Sequence, residues 1–273
     1  MEKQTAVPHD EGSLFASSNL VPEFDAGKSL PDLPAVMSRH PAVVIRGAIP
    51  RSIAEAAVEK LMTLRPQWGA GPVPDEYNYG TVFYAHAMNK NIPDYFARSG
   101  AENERMGRDF PELFPAVMRL VQDIMRDEEV TYRPGWSGPS FVYLGPGSIS
   151  AVEGGTIHID WEGFSAWDHP KTEDLLSSRE LEAYTLVLML QNTPEGGGVR
   201  IWDKRFDPGH RDEFIPDPET APDVPFATPQ YAIGDLVVLH SMTVHQIQPY
   251  AGGARITLNF HLVRRGTVWH LFF

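Results

Sequence analysis

The chain has 273 residues, 42% of them apolar and 11% aromatic, enough to bury the core of one elaborated domain. A formal net charge of -13 at pH 7, with no Lys/Arg cluster to offset it locally, disfavours phosphate backbones and anionic membrane surfaces, so neither nucleic acid nor a membrane is an expected partner. Cysteine is absent, which excludes disulfides, thiolate metal sites and cysteine nucleophiles and leaves His, Asp and Glu as candidate metal ligands.

Residues 1 to about 35 are polar, contain Pro and Gly and show no sustained period; they are expected to form a mobile arm that drapes over the core. The first of them, "MEKQTAVPHDEGSLF", lack the apolar region of a signal peptide, and no run approaches the roughly 20 apolar residues of a bilayer span, so a cytoplasmic protein is expected. The remainder, 36–273, reads as one domain with a helical part over about 36–130 and a β core over about 131–273. "AVVIRGAIP" (42–50) is a strand candidate. "RSIAEAAVEKLMTL" (51–64) follows with Ile53, Ala56, Ala57, Leu61 and Leu64 near helical spacing and Ser52 as a candidate cap. Two further helices are expected in 93–110 and 111–129, the second with a stripe of Phe114, Val117, Met118, Val121 and Met125 that should pack on the core.

From about residue 130 the pattern changes to β-branched and aromatic runs separated by Gly, Pro or Asp: 140–144, 155–160, 184–192, 198–203, 235–247, 255–265 and 268–273. Many short strands broken by turns predict a sandwich or barrel. "PEGGGVRIWD" needs only a tight glycine turn and is not a phosphate loop, because no helix and no Lys-Ser/Thr pair follows it.

"GGTIHIDWEGF" (154–164) sets His158 and Asp160 two places apart at the end of a strand-like run, where positions i and i+2 share one face. The spacing permits chelation without demonstrating it, since His210 and Asp212 repeat it inside a proline-rich acidic segment that reads as a surface loop. Downstream, "HQIQPYAGGARIT" brings His245 at the end of an apolar run and Arg255 ten residues later. Arg255, Thr257 and Asn259 alternate with Ile256, Leu258 and Phe260, so the polar set shares one strand face. An inward Arg is costly unless it meets an anion, and a bound carboxylate suits both its fork and a neighbouring Thr hydroxyl.

Two imidazoles and one carboxylate on a triangular face form the ligand set of non-haem Fe(II) oxygenases, although Zn(II) would bind the same set. Arg255 points to the cosubstrate: 2-oxoglutarate can chelate iron at one end and meet Arg255 with its far carboxylate. The formal charges of Fe(II), Asp160, 2-oxoglutarate and Arg255 then cancel, as a low-dielectric pocket requires. His240 competes with His245, but an odd separation on an unbroken strand puts the two on opposite faces, and the ten-residue step to Arg255 favours His245. His261 shares the parity of Arg255 and is expected deeper in the barrel, packed or buttressing the site; His86 is expected to be a hydrogen-bonded core histidine.

In order and spacing, His158-x-Asp160, His245 and Arg255-x-Thr257 resemble the Fe(II)/2-oxoglutarate-dependent dioxygenases built on a double-stranded β-helix, or jelly roll. "VVIRGAIPRSIAEAA" and "YGTVFYAHAMNKNIPDYFA" are similar to the subgroup that contains hapalindole-type halogenases and N-succinyl amino acid hydroxylases. The resemblance implies a mainly β jelly roll with an N-terminal helical buttress, His158, Asp160 and His245 as iron ligands, and Arg255 and Thr257 on 2-oxoglutarate. It also implies O2 as oxidant, with CO2 and succinate released. The halogenases carry Gly where this chain has Asp160, so hydroxylation of an unactivated C–H bond is expected, in a small molecule such as an amino acid or N-acyl amino acid. Gly80 and Tyr84 fall where the resembling hydroxylases shape their substrate pocket. Phe164 and Trp167 are placed either to cover the site as a lid or to pin a loop to the core. A carboxylate-bearing substrate would need a second cation, for which Arg133, Arg200, Arg205 and Arg264 are candidates. Two alternatives stay open: a cupin-like metal or sugar-binding protein without redox chemistry, and a desaturase or cyclase on the same iron site.

Overall fold

The computed structural model describes residues 20–71, 73–160, 182–205 and 224–273. The first half holds β1 (Glu23–Asp25), α1 (Leu33–Met37), β2 (Ala42–Arg46), α2 (Arg51–Thr63), β3 (Gly69–Ala70), β4 (Glu76–Tyr79), α3 (Phe83–Met88), α4 (Ile92–Asp109) and α5 (Leu113–Met125). The second half holds β5 (Glu129–Tyr132), β6 (Ser140–Leu144), α6 (Ile149–Val152), β7 (Ala183–Gln191), β8 (Glu195–Gly196), β9 (Val199–Arg205), β10 (Phe226–Ala227), β11 (Leu236–His240), β12 (Thr243–Ile247), β13 (Tyr250–Ala251), β14 (Arg255–Arg265) and β15 (Val268–Phe272).

A ten-stranded sheet in the order β1-β2-β11-β7-β14-β6-β4-β3, with β15 and β5 added on β14, faces a smaller sheet of β10-β9-β12. This is a jelly roll. Its spine is β14, which pairs with β7 along one edge and with β6 and then β15 along the other. The alternation in β14 sorts the two faces of the large sheet. Ile256, Leu258, Phe260 and Leu262 point outward into a core shared with Leu186 and Leu188 of β7, Val43 and Ile45 of β2, and helices α2 and α5. Arg255, Asn259 and His261 point inward to a cavity, beside Thr185 and Val187 of β7 and Val237 and Leu239 of β11.

The helices form where the apolar spacing places them. On α5, Leu113, Phe114, Val117, Leu120, Val121, Ile124 and Met125 are all buried at intervals of three and four, forming a wider stripe than the expected one; Met118 packs at its margin. Ser52 does not cap α2. The cap position falls on Pro50, which carries no side-chain hydrogen bond, and Ser52 lies inside the first turn, with proline's fixed φ setting the entry of the chain. Two strand expectations also change. The run 235–247 is divided at Ser241 and Met242, so that β11 belongs to the large sheet and β12 to the small one. Residues 155–160 make only an isolated bridge, His158 to His245, rather than a strand, because their backbone meets β12 at just Gly155 and His158.

Within the expected arm, residues 20–35 are built into the core. Leu20, Val21 and Leu33 are buried, and β1 runs parallel to β2, held by Glu23 accepting from the Arg46 guanidinium at 3.0 and 2.7 Å. No helix among the described residues is long and apolar enough to cross a membrane.

Because Leu258 is fully buried on the helical face, Leu258→Ala is expected to cost about 2–5 kcal/mol of unfolding free energy, read as a lower urea midpoint at unchanged slope.

Candidate metal and cosubstrate site

The bridge between His158 and His245 fixes the first two candidate ligands. Each backbone N–H donates to the other's carbonyl, at 3.1 and 3.0 Å, so the side chains lie directly opposite and their rings approach to 4.3 Å between centroids. Gly154 and Gly155 permit that approach. A Cβ at Gly154, which sits at φ +85°, would press on the Ile247 carbonyl, and the Gly155 N–H donates to the same oxygen at 2.9 Å.

Both imidazoles are held in one tautomer. Nδ1 of His158 donates to Thr156 O at 2.7 Å, and Nδ1 of His245 donates to Thr243 O at 2.9 Å. A carbonyl can only accept, so both Nε2 atoms keep a lone pair for a metal. Asp160, two residues past His158, brings its carboxylate to 3.6 Å from each Nε2. One ligand atom from each of the three residues lies within 4.8 Å of the others. Asp160 Oδ2 is buried without a hydrogen-bond partner. Burial works to raise the Asp160 carboxyl, but the His245 and His158 imidazoles outweigh it and hold the group well below the usual carboxylate range. Burial pushes His245 down against the pull of Asp160, so both groups rest in the protonation state that a metal ion needs. The donor set and its open atoms fit a divalent ion with imidazole and carboxylate preference.

Arg255, Thr257 and Asn259 meet the site from β14. Arg255 is 3% exposed; its Nε donates to Gly197 O at 3.1 Å and its Nη2 to the Tyr231 hydroxyl. Among the described residues no carboxylate lies within ion-pair distance of it. Thr257 Oγ1 and Asn259 Oδ1 are also buried without partners. A row of polar atoms with no protein counterpart beside an open carboxylate is the fit expected for a carboxylate-bearing ligand.

The expected site residues are therefore brought together: His158, Asp160, His245 and Arg255 line one cavity of about 780 Å³, and Thr257 lies between Arg255 and Asn259 on the same strand face. Tyr84 lines that cavity too. Gly80 does not; its φ of +112° and the Ser140 side chain against it give it a backbone role. Phe164, Trp167, His210 and Asp212 lie outside the described residues. His240 is no ligand, although for a different reason from strand parity: it ends β11 before the crossover and its Nδ1 accepts from the Met242 N–H at 3.2 Å. His261 lines the cavity, shares a hydrogen bond with the Thr185 hydroxyl at 3.1 Å, and is pushed down to about 4 chiefly by burial. His86 bonds the Asn91 carbonyl at 3.3 Å. Arg133 and Arg200 stack over Trp136 and Phe226, Arg205 binds the carbonyls of Met37 and His40, and Arg264 pairs with Glu182 and Glu128; none of the four lines the cavity.

Two residues of the site carry no sequence signal. Tyr231 holds Arg255 from a segment without period, and Glu76 reaches the cavity from a short strand in the helical half.

Removing a ligand should show in metal binding. Asp160→Ala and His245→Ala are expected to weaken Co(II) binding by at least about 100-fold, more than the loss typical of groups that only orient ligands, while His240→Ala keeps it; the visible Co(II) spectrum reads all three. Thr257→Val should leave the ligand-free protein within about 1 kcal/mol of wild-type stability, because the hydroxyl it removes has no partner.

No protein-family model matches the chain, and no curated protein matches it in sequence. Solved structures do. An N-substituted L-amino acid dioxygenase of Burkholderia ambifaria AMMD, in complex with alpha-KG, superposes with a TM-score of 0.57 at 14% identity, covering 89% of this chain and 90% of that one. The same enzyme described without that ligand gives 0.56 at 14% identity and the same coverage. HygX of Streptomyces hygroscopicus, with nickel and 2-oxoglutarate bound, is more distant, with a TM-score of 0.46 at 12% identity over 84% of both chains. The chain thus shares the fold of the Burkholderia dioxygenase over nearly the whole length of both.

Proposed function

We propose that this protein is an Fe(II)/2-oxoglutarate-dependent dioxygenase that hydroxylates an unactivated C–H bond of a small molecule of the amino acid or N-acyl amino acid class. The observation that carries the reading is Arg255: a guanidinium buried in the wall of the same cavity as the metal triad, with no acid of its own among the described residues. A cupin-like binding protein would have use for the triad but none for Arg255, Thr257 and Asn259. The fold shared with an amino acid dioxygenase that binds alpha-KG supports the same reading.

His158, Asp160 and His245 would hold ferrous iron on one triangular face and leave the opposite positions for ligands. Iron so held would supply the activation of O2 at the expense of 2-oxoglutarate, with succinate and CO2 as coproducts. Arg255 would take the far carboxylate of 2-oxoglutarate and Thr257 would donate a hydrogen bond to it, so the keto acid is oriented by two groups already rigid on β14. The Nδ1–carbonyl bonds keep both imidazoles aimed as ligands, and no side chain is required as a general acid or base. Asp160 fills the iron position that a halide would need, which favours hydroxylation over halogenation.

Anaerobic addition of Fe(II) and 2-oxoglutarate is expected to produce a weak visible charge-transfer band, and aerobic turnover to release succinate; absence of both would sink the proposal. Arg255→Ala should weaken 2-oxoglutarate binding by about 100-fold or more, the loss that follows when one partner of a buried ion pair is removed, with Fe(II) affinity unchanged.

A further inference from the structure

Among the described residues, the cavity has one charged group that neither the metal nor the keto acid would use. Glu76 stands on β4, where it pairs with Leu144, and Leu144 pairs in turn with Arg255. Residues in such a row share a face, so Glu76 faces the cavity two strands from Arg255, about 10 Å away at the usual strand spacing. It is 9% exposed, and its Oε1 accepts from the Tyr84 hydroxyl at 3.1 Å. Among the described residues no basic group lies within ion-pair distance of it, and Arg255 is the one guanidinium or ammonium lining the cavity. Burial raises the Glu76 carboxyl, with the Tyr84 bond pulling it back; Tyr84 itself is held protonated by burial and by the Glu76 charge, so it stays a donor.

The charge count decides what Glu76 is for. Iron, Asp160, 2-oxoglutarate and Arg255 cancel formally, so an ionised Glu76 leaves the described lining of the cavity one negative charge in excess. A neutral ligand does not correct this, and an anionic one makes it worse. A ligand with a protonated amine does correct it.

We infer that Glu76 is a specificity residue that binds a protonated amine of the substrate, so that the pocket takes free amino compounds in preference to their N-acylated or carboxylate-rich counterparts. The inference rests on the oxygenase reading for the partner of Arg255 and narrows the substrate class within it. Tyr84 acts as the positioning residue: its hydroxyl occupies one carboxylate oxygen and leaves the other for the ligand.

The test is calorimetric binding of pentylamine, 1-pentanol and pentanoate to the anaerobic protein loaded with Fe(II) and 2-oxoglutarate. The amine is expected to bind at least about tenfold more tightly than either other probe, and Glu76→Gln, which keeps the size and an acceptor for Tyr84, to abolish that preference. The charge-transfer band should persist unchanged in Glu76→Gln, showing an intact metal and keto-acid site. Equal binding of the probes, tightest binding of the alcohol or carboxylate, or no binding of any, overturns the inference, as does an undiminished amine preference in the variant. Should Glu76→Gln not fold, the ranking in the wild-type protein decides alone. A missing band in the wild type sinks the oxygenase reading, whereas a normal band without an amine preference sinks the assignment of Glu76 alone.

Discussion

A buried guanidinium with no acid beside it among the described residues is the constraint around which this structure is organised. Taking Arg255 to 3% exposure removes nearly all its water, and two neutral acceptors, the Gly197 carbonyl and the Tyr231 hydroxyl, replace only part of what is lost. A protein gains no stability from such an arrangement and keeps it when the missing counter-charge arrives with a ligand. The same holds for Asp160, whose buried Oδ2 lacks a partner. Opposite charges held on facing walls of one cavity, Arg255 on the large sheet and Asp160 beside the small one, create a field suited to an anion and a cation together.

Geometry of this quality has to come from rigid backbone. The two histidines are donated by segments that bond each other through both backbone N–H groups, and each ring is pinned by a carbonyl two residues back. The two rings are thus oriented by the protein alone, and an ion bound between them would cost little further conformational entropy. Gly154 belongs to the same device, since only a residue without a Cβ lets the chain lie against Ile247.

The parts of this design that were legible in the sequence are those governed by strand parity. Arg255, Thr257 and Asn259 against Ile256, Leu258 and Phe260 sort the two faces of β14 without ambiguity, because one flank meets helices and the other a cavity. The spacing of His158 and Asp160 works likewise, although only a bridge supports it. Parity fails where the chain leaves a sheet: the apolar run 235–247 has no Gly or Pro at Ser241–Met242 to announce the crossover, so His240 and His245 look like neighbours on one strand. Residues 20–35 look like a polar arm because their anchoring rests on a few scattered apolar side chains, Leu20, Val21 and Leu33, and on the ladder of β1 with distant β2, and not on a periodic stripe. Glu76 and Tyr231 were invisible for a related reason. Glu76 owes its place to a cross-strand row and Tyr231 to a side-chain hydrogen bond from a loop, and both join residues that lie far apart in the chain.

Separating the faces also separates stability from function. The outward face of the large sheet, packed on α2 and α5, carries a continuous apolar core. The inward face is free to hold groups that no stability criterion would select: an arginine with no acid beside it among the described residues, orphaned hydroxyl and amide oxygens, and a carboxylate two strands away in the same row. Each of these costs free energy in the ligand-free protein, a cost set against the burial of the apolar face on α2 and α5. The helices α2 and α5 thus bear on the cavity although neither contributes a side chain to its wall. They supply the surplus that lets an inward face remain polar, charged and incomplete until its ligands bind.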